Sequence, residues 1–177
     1  MSNVIPLFRA SATARTLLAE CDHELGRAAV AVDPADRYIA AHFAAVHAAV
    51  AFVKLVHGPG ALGRARGSRS PAHGIWEQLV GIDPEWTPWA IYFHHASRLR
   101  RGLELGLPVD ARLSDEMTAA AEDFRDEIAA AIEPGGRWDA PADAASRVDR
   151  RGARSPGRVQ RQPQLAPVAA ESLRIAA

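Results

Sequence analysis

In the stretch DPADRYIAAHFAAVHAAVAF, residues 33–52, Arg37 and His42 stand five positions apart at the head of an expected helix. Histidine moves protons near neutral pH, and arginine offsets negative charge that builds on a phosphoryl group. The couple is therefore either a site for such chemistry or the polar start of a packing helix. On a continuous helix five positions turn through about 500°, which leaves the two side chains roughly 140° apart. One site uses both only if the helix begins irregularly at Arg37, or if a second copy of the chain supplies one of them. The packing alternative makes Arg37 an exposed first-turn residue near Asp33 and Asp36, and His42 a half-buried polar residue among alanines.

The other reactive side chains form no complete constellation. Glu20-Cys21-Asp22-His23 matches one Glu-x-x-His unit of the di-iron helical bundles, which need two such units and two further carboxylates. No second unit exists, so neither a metal nor a cofactor is expected. His94 and His95 are adjacent and point about 100° apart on a helix, too divergent to chelate together. His47 and His57 fall near the polar edge of the second helix, and His73 falls in a loop. The stretch GPGALGRARGSRS lacks the Lys-Ser/Thr ending and the preceding strand of a phosphate loop, so nucleotide hydrolysis has no support. Trp86, Trp89 and Phe93 recur at i, i+3, i+7 and, with Trp76, read as core before they read as a base-stacking platform.

Arginine supplies the remaining lead. Arg64, Arg66 and Arg69 share one loop with no acid, and Arg150, Arg151, Arg154, Arg158 and Arg161 share a later Arg/Pro/Gly-rich stretch. Arginine-rich segments hold nucleic acid by neutralising phosphates, and otherwise serve as solvated linkers.

The elements that must position these residues are helical throughout. Leu17, Leu18, Leu25, Ala28 and Val32 mark a first helix from Ser11 to about Val32, after a flexible lead-in over residues 1–10. Asp33 as N-cap and Pro34 at the first helical position start a second, which the GPG at 58–60 ends near His57. Ile39, Phe43, Val46, Val50 and Val53 form one apolar stripe, and His42, Ala45, Ala49 and Phe52 a second. Two stripes predict a central helix with several neighbours. A loop over 58–73 leads to a short helix, GIWEQLV, and Asp83-Pro84 repeats the Asp-Pro start. Ser114 is expected to cap a last core helix running to about Ile132 through Met117, Ala120, Phe124 and Ile128, its outer side acidic. Beyond it, residues 134–177 hold too few apolar side chains to offset ordering, which predicts a disordered basic tail.

Composition agrees with one helical domain. The 177 residues carry 21 basic and 21 acidic side chains and 48% hydrophobic residues, enough for a single core. Much of the apolar share is alanine, the strongest helix former. The charge is segregated: Met1 to Glu133 holds 13 basic against 17 acidic residues, and Pro134 onward 8 against 4. Cys21 is alone, which excludes an internal disulfide and suits a reducing compartment. Neither a signal peptide nor a stretch of roughly 20 apolar residues is recognisable, so no membrane partner and a cytoplasmic location are expected.

The order of these elements resembles an actinobacterial family of small HEPN-domain proteins. The matching residues are Asp36-Arg37-Tyr38 and Ala41-His42 in the second helix, Trp76-Glu77 after the arginine loop, and Trp86 with the aromatic run behind it. The resemblance covers residues 11–133 and implies an all-α, up-and-down bundle of four to five helices, commonly homodimeric. Catalytic HEPN domains pair an arginine and a histidine, four to six residues between them, from two subunits at a dimer cleft. There the ribose 2′-OH attacks its own phosphate without a metal, histidine moving the proton and arginine offsetting charge on phosphorus. Arg37 and His42 satisfy that spacing. They depart from the pattern by lying in the second helix rather than late in the domain, and by placing Tyr38 where a polar residue is usual. The resemblance thus implies a non-catalytic or weakly catalytic dimer that binds RNA or a protein. The alternatives are a metal-independent endoribonuclease using Arg37 and His42, and a structural adaptor with no nucleic-acid role.

Overall fold

The computed structural model describes residues 4–57 and 71–133, with side chains over 12–56 and 74–133. Helices α1 (Val4–Val30), α2 (Pro34–His57), α3 (Pro71–Ile82), α4 (Thr87–Glu104) and α5 (Ala111–Ile132) make up the fold, with a 3₁₀ turn at Pro84–Trp86 before α4. No strand occurs among the described residues. The architecture is the all-α bundle that the periodicity predicts. The expected arginine loop over 58–70 and the tail over 134–177 lie outside the described residues.

Local chemistry sets the helix ends. The Ala35 N–H donates to Asp33 Oδ1 at 2.7 Å, so Asp33 caps α2 as expected. Asp83 caps the 3₁₀ turn, accepting from the Glu85 N–H at 3.0 Å. α4 ends in a Schellman motif: the Leu107 N–H reaches the Gly102 carbonyl and the Gly106 N–H the Leu103 carbonyl. Gly106 sits there at φ +89°, where an L side chain is strained. Three expectations shift. α1 begins at Val4 rather than Ser11. α3 begins at Pro71, so His73 is helical. Asp110, not Ser114, caps α5, accepting from the Leu113 N–H at 2.8 Å.

α2 is the central helix, packed against α1, α3, α4 and α5. Ala40, Ala41, Ala44, Ala45, Ala48, Ala49 and Ala51 are all buried, and these small side chains let neighbouring helices approach closely. By length and composition Pro34–Val56 would also span a bilayer, contrary to the reading of the sequence, yet more than half of its apolar window is buried inside the bundle. That burial is what a core helix requires. A second half of the core is aromatic. Phe93 stacks on Trp76 (centroids 5.2 Å) and Trp89 (5.7 Å), and meets Phe124 of α5 at 5.2 Å. Trp86 joins Phe52 of α2 at 5.4 Å and Phe124 at 5.9 Å. The tryptophans are core, as their spacing predicts, and clamp α3, α4 and α5 onto α2.

Candidate functional site

Arg37 and His42 leave α2 toward different neighbours. Arg37 pairs with Asp115 of α5 and donates from Nη2 to the Ala31 carbonyl at 3.1 Å, just past the end of α1. Its side chain is one-quarter exposed. Beside it, the Ser114 hydroxyl reaches the Pro34 carbonyl at 2.7 Å. These contacts join the α1–α2 corner to the head of α5. Arg37 is thus not a solvated residue leaning on Asp33 and Asp36, but a cross-helix tie.

His42 is fully buried, where half-burial was expected. Its Nε2 lies 3.0 Å from Ser97 Oγ and 3.4 Å from the Phe93 carbonyl, both on α4. The Ser97 hydroxyl donates its one proton to that same carbonyl at 2.8 Å. With the Ser97 hydroxyl donating there, Ser97 Oγ is left to accept from the His42 ring, an assignment of the ring proton to Nε2 made from this network. Nδ1 is buried without a partner. Burial, followed by the nearby Arg100 cation, lowers the imidazole pKa from 6.5 to about 4. At neutral pH the ring is uncharged, and its proton is held inside the protein.

The surroundings reinforce this. Tyr38, between the two residues, is buried with its hydroxyl 3.5 Å from the Ala96 carbonyl, and burial raises its pKa. Arg100 lies over the Phe43 ring with its guanidinium carbon 5.0 Å from the centroid, and pairs with Glu104. Cys21 is fully buried, and burial pushes its thiol up to about 12, so it is no nucleophile. Glu20 and His23 are exposed, and no metal-binding group of three or more His, Cys, Asp or Glu occurs among the described residues.

Arg64, Arg66, Arg69, Arg150, Arg151, Arg154, Arg158 and Arg161 all lie outside the described residues. Ser97 and Arg100, which set the state of His42, were not found from the sequence. Neither stands at a spacing that links it to a residue more than fifty positions away.

The fold is an all-α bundle around the central α2, with an aromatic clamp from α3, α4 and α5, an architecture in keeping with a HEPN-type helical domain. The SAV_6107-like HEPN family model matches residues 28–129, more than half of the chain, and the chain belongs to that family. No curated protein and no solved structure matches it.

Proposed function

We propose that this chain is a non-catalytic, dimeric HEPN module that works by binding. The observation that carries the reading is the sealed state of His42: fully buried, uncharged, and with its Nε2 3.0 Å from Ser97 Oγ beneath α4. A general base must come within hydrogen-bond reach of the proton it takes. No substrate hydroxyl reaches Nε2 while α4 covers it. Dimerisation is the habit of the superfamily and needs no open His42.

The helices themselves suit protein better than RNA. Over 12–56 and 74–133, nine basic side chains stand against seventeen acidic ones, a balance that repels phosphate. RNA binding, where present, belongs to the arginine segments around 64–69 and 150–161. A cytoplasmic setting accords with the lone buried thiol.

The test is metal-free incubation of full-length protein with labelled single-stranded RNA, beside His42→Ala and a variant with Arg64, Arg66 and Arg69 changed to Ala. The expected result is no cleavage by any of them. Salt-dependent RNA retention that falls in the arginine variant supports RNA binding. Cleavage lost in a folded His42→Ala protein refutes the non-catalytic reading and makes Arg37 and His42 the active couple.

A further inference from the structure

Five large apolar side chains are exposed among the described residues, and four of them stand at one end of the bundle. Val30 (80% exposed) and Val32 (94%) lie at the α1–α2 corner, and Leu105 (86%) and Leu107 (57%) lie in the turn from α4 to α5. Both corners belong to the same end, because the heads of α2 and α5 are tied together there. Arg37 of α2 reaches the Ala31 carbonyl and Asp115, and the Ser114 hydroxyl reaches the Pro34 carbonyl. The α4–α5 turn is held in place: Leu107 fills the space beside Gly102, and its N–H donates to the Gly102 carbonyl at 3.0 Å. Apolar side chains fixed in water at neighbouring corners mark a surface that something covers.

The chain carries its own candidate. α5 runs away from this end for 22 residues, about 33 Å, and residues 134–177 continue from its far end. Thirty-five residues lead from Glu133 to Val168, and a flexible chain of that length typically spans about 33 Å, enough to return along α5. On that path Glu122 and Asp123 are exposed. They stand outside the ion pairs that hold Asp115, Glu116 and Asp126 to Arg37, Arg112 and Arg125. Arg150, Arg151, Arg154, Arg158 and Arg161 fall around the middle of the returning stretch, as Glu122 and Asp123 fall around the middle of α5. The sequence then closes on VAAESLRIAA. At helical spacing Val168, Ala169, Ser172, Leu173, Ile175 and Ala176 share one side, and Glu171 and Arg174 take the other. Ten residues are too few to hold a helix alone in water, so such a side needs a surface to pack on. We infer that residues 168–177 dock on the apolar end of their own bundle, with the five arginines laid along Glu122 and Asp123 of α5. Opposite charge guides the return, and Val168, Leu173 and Ile175 cover the exposed corners. A phosphate backbone that takes the same arginines has to compete with α5 for them.

The docking requires neither the dimer nor the RNA of the reading above, and its test uses neither. The full chain, isotope-labelled for amide NMR, carries a nitroxide either at Arg174→Cys, on the polar side of the terminal segment, or at Ser155→Cys, among the arginines. Cys21 is fully buried and escapes the reagent. The label at 174 is expected to broaden away the amide signals of Val30, Val32, Leu105 and Leu107, and to spare Glu85 and Thr87 beside the far end of α2. The label at 155 is expected to broaden Glu122 and Asp123, and to do so less as salt rises. Adding Leu105→Glu to the chain labelled at 174 is expected to bring the lost signals back, at a position exposed enough to leave the fold intact. Signals at the apolar end that stay sharp, or that are lost equally with Leu105→Glu, overturn the docking. Glu122 and Asp123 untouched by the label at 155 overturn the path along α5. A mixture of nitroxide-bearing chain with isotope-labelled, nitroxide-free chain identifies the source. Broadening as strong in the mixture as within one chain belongs to a second copy and overturns docking of the segment on its own bundle.

Discussion

His42 should make the fold acid-sensitive in a way one substitution removes. The unfolded chain exposes an ordinary imidazole that binds a proton near pH 6.5. In the folded protein, burial and then Arg100 hold that value down at about 4. Between those two values the unfolded state binds more protons than the folded one, so stability rises with pH through the window and is lost as pH falls. At 1.36 kcal/mol per pH unit, the interval corresponds to about 3 kcal/mol, a large share of the stability of a domain this size.

Urea unfolding at pH 7, 6, 5 and 4 measures it, with His42→Gln as the reference. Glutamine retains a donor for Ser97 but does not titrate, and the carboxylates common to both proteins cancel in the difference. The variant is expected to start less stable at pH 7, because its amide packs less well than the ring. Its stability should then fall less steeply, closing the gap to wild type by about 3 kcal/mol on reaching pH 4. Parallel pH profiles would refute the reasoning, since they would mean that His42 titrates alike in both states and is not sealed by α4.

The remaining predictions concern the α1–α2 corner and the end of α4. Arg37→Ala removes the tie to Asp115 and to the Ala31 carbonyl. Because that ion pair is partly exposed, its loss should cost only about 1 kcal/mol in urea unfolding, with RNA binding unchanged. Gly106→Ala places a side chain at φ +89° and should lower stability by about 1 kcal/mol with an unaltered denaturant slope.

What could be read in the sequence was what local rules control. Asp33-Pro34 and Asp83-Pro84 are capping chemistry within a few residues, and both act as starts in the structure. The i, i+3, i+7 spacing of Trp86, Trp89 and Phe93 is one helix face, and it is core. α1 starts earlier than the apolar periodicity marks, and Pro6, ordinarily a breaker, stands in its first turn. Within a helix's first turn, however, the missing N–H has no intrahelical partner to lose. Ser114 reads as a cap because serine commonly is one. Asp110 supplies the cap instead, and the Ser114 hydroxyl crosses to α2. The candidate site was legible as a pair of residues and not as an environment. Whether an imidazole is a base or a packing group depends on what covers it. Here the cover is Ser97 and Phe93, brought from α4 by tertiary packing.

The same geometry explains why the Arg–His spacing does not bring the two side chains together within one chain. α2 is a regular helix from Pro34, so the roughly 140° between the two positions is imposed on the side chains. Arg37 meets Asp115 on α5 and His42 meets Ser97 on α4, each on its own side of α2. Under the non-catalytic reading a second subunit does not repair this. It could offer its own arginine near the α1–α2 corner, but His42 stays beneath α4, whose Phe93 and Trp89 are locked into the aromatic core with Phe124. Freeing the ring would mean lifting α4 away from Trp76, Phe124 and α2 together, which removes the contacts that hold the bundle closed. Within the chain, the two residues of that spacing tie α2 to two different neighbours, the arginine at its entrance to α5 and the histidine along its side to α4.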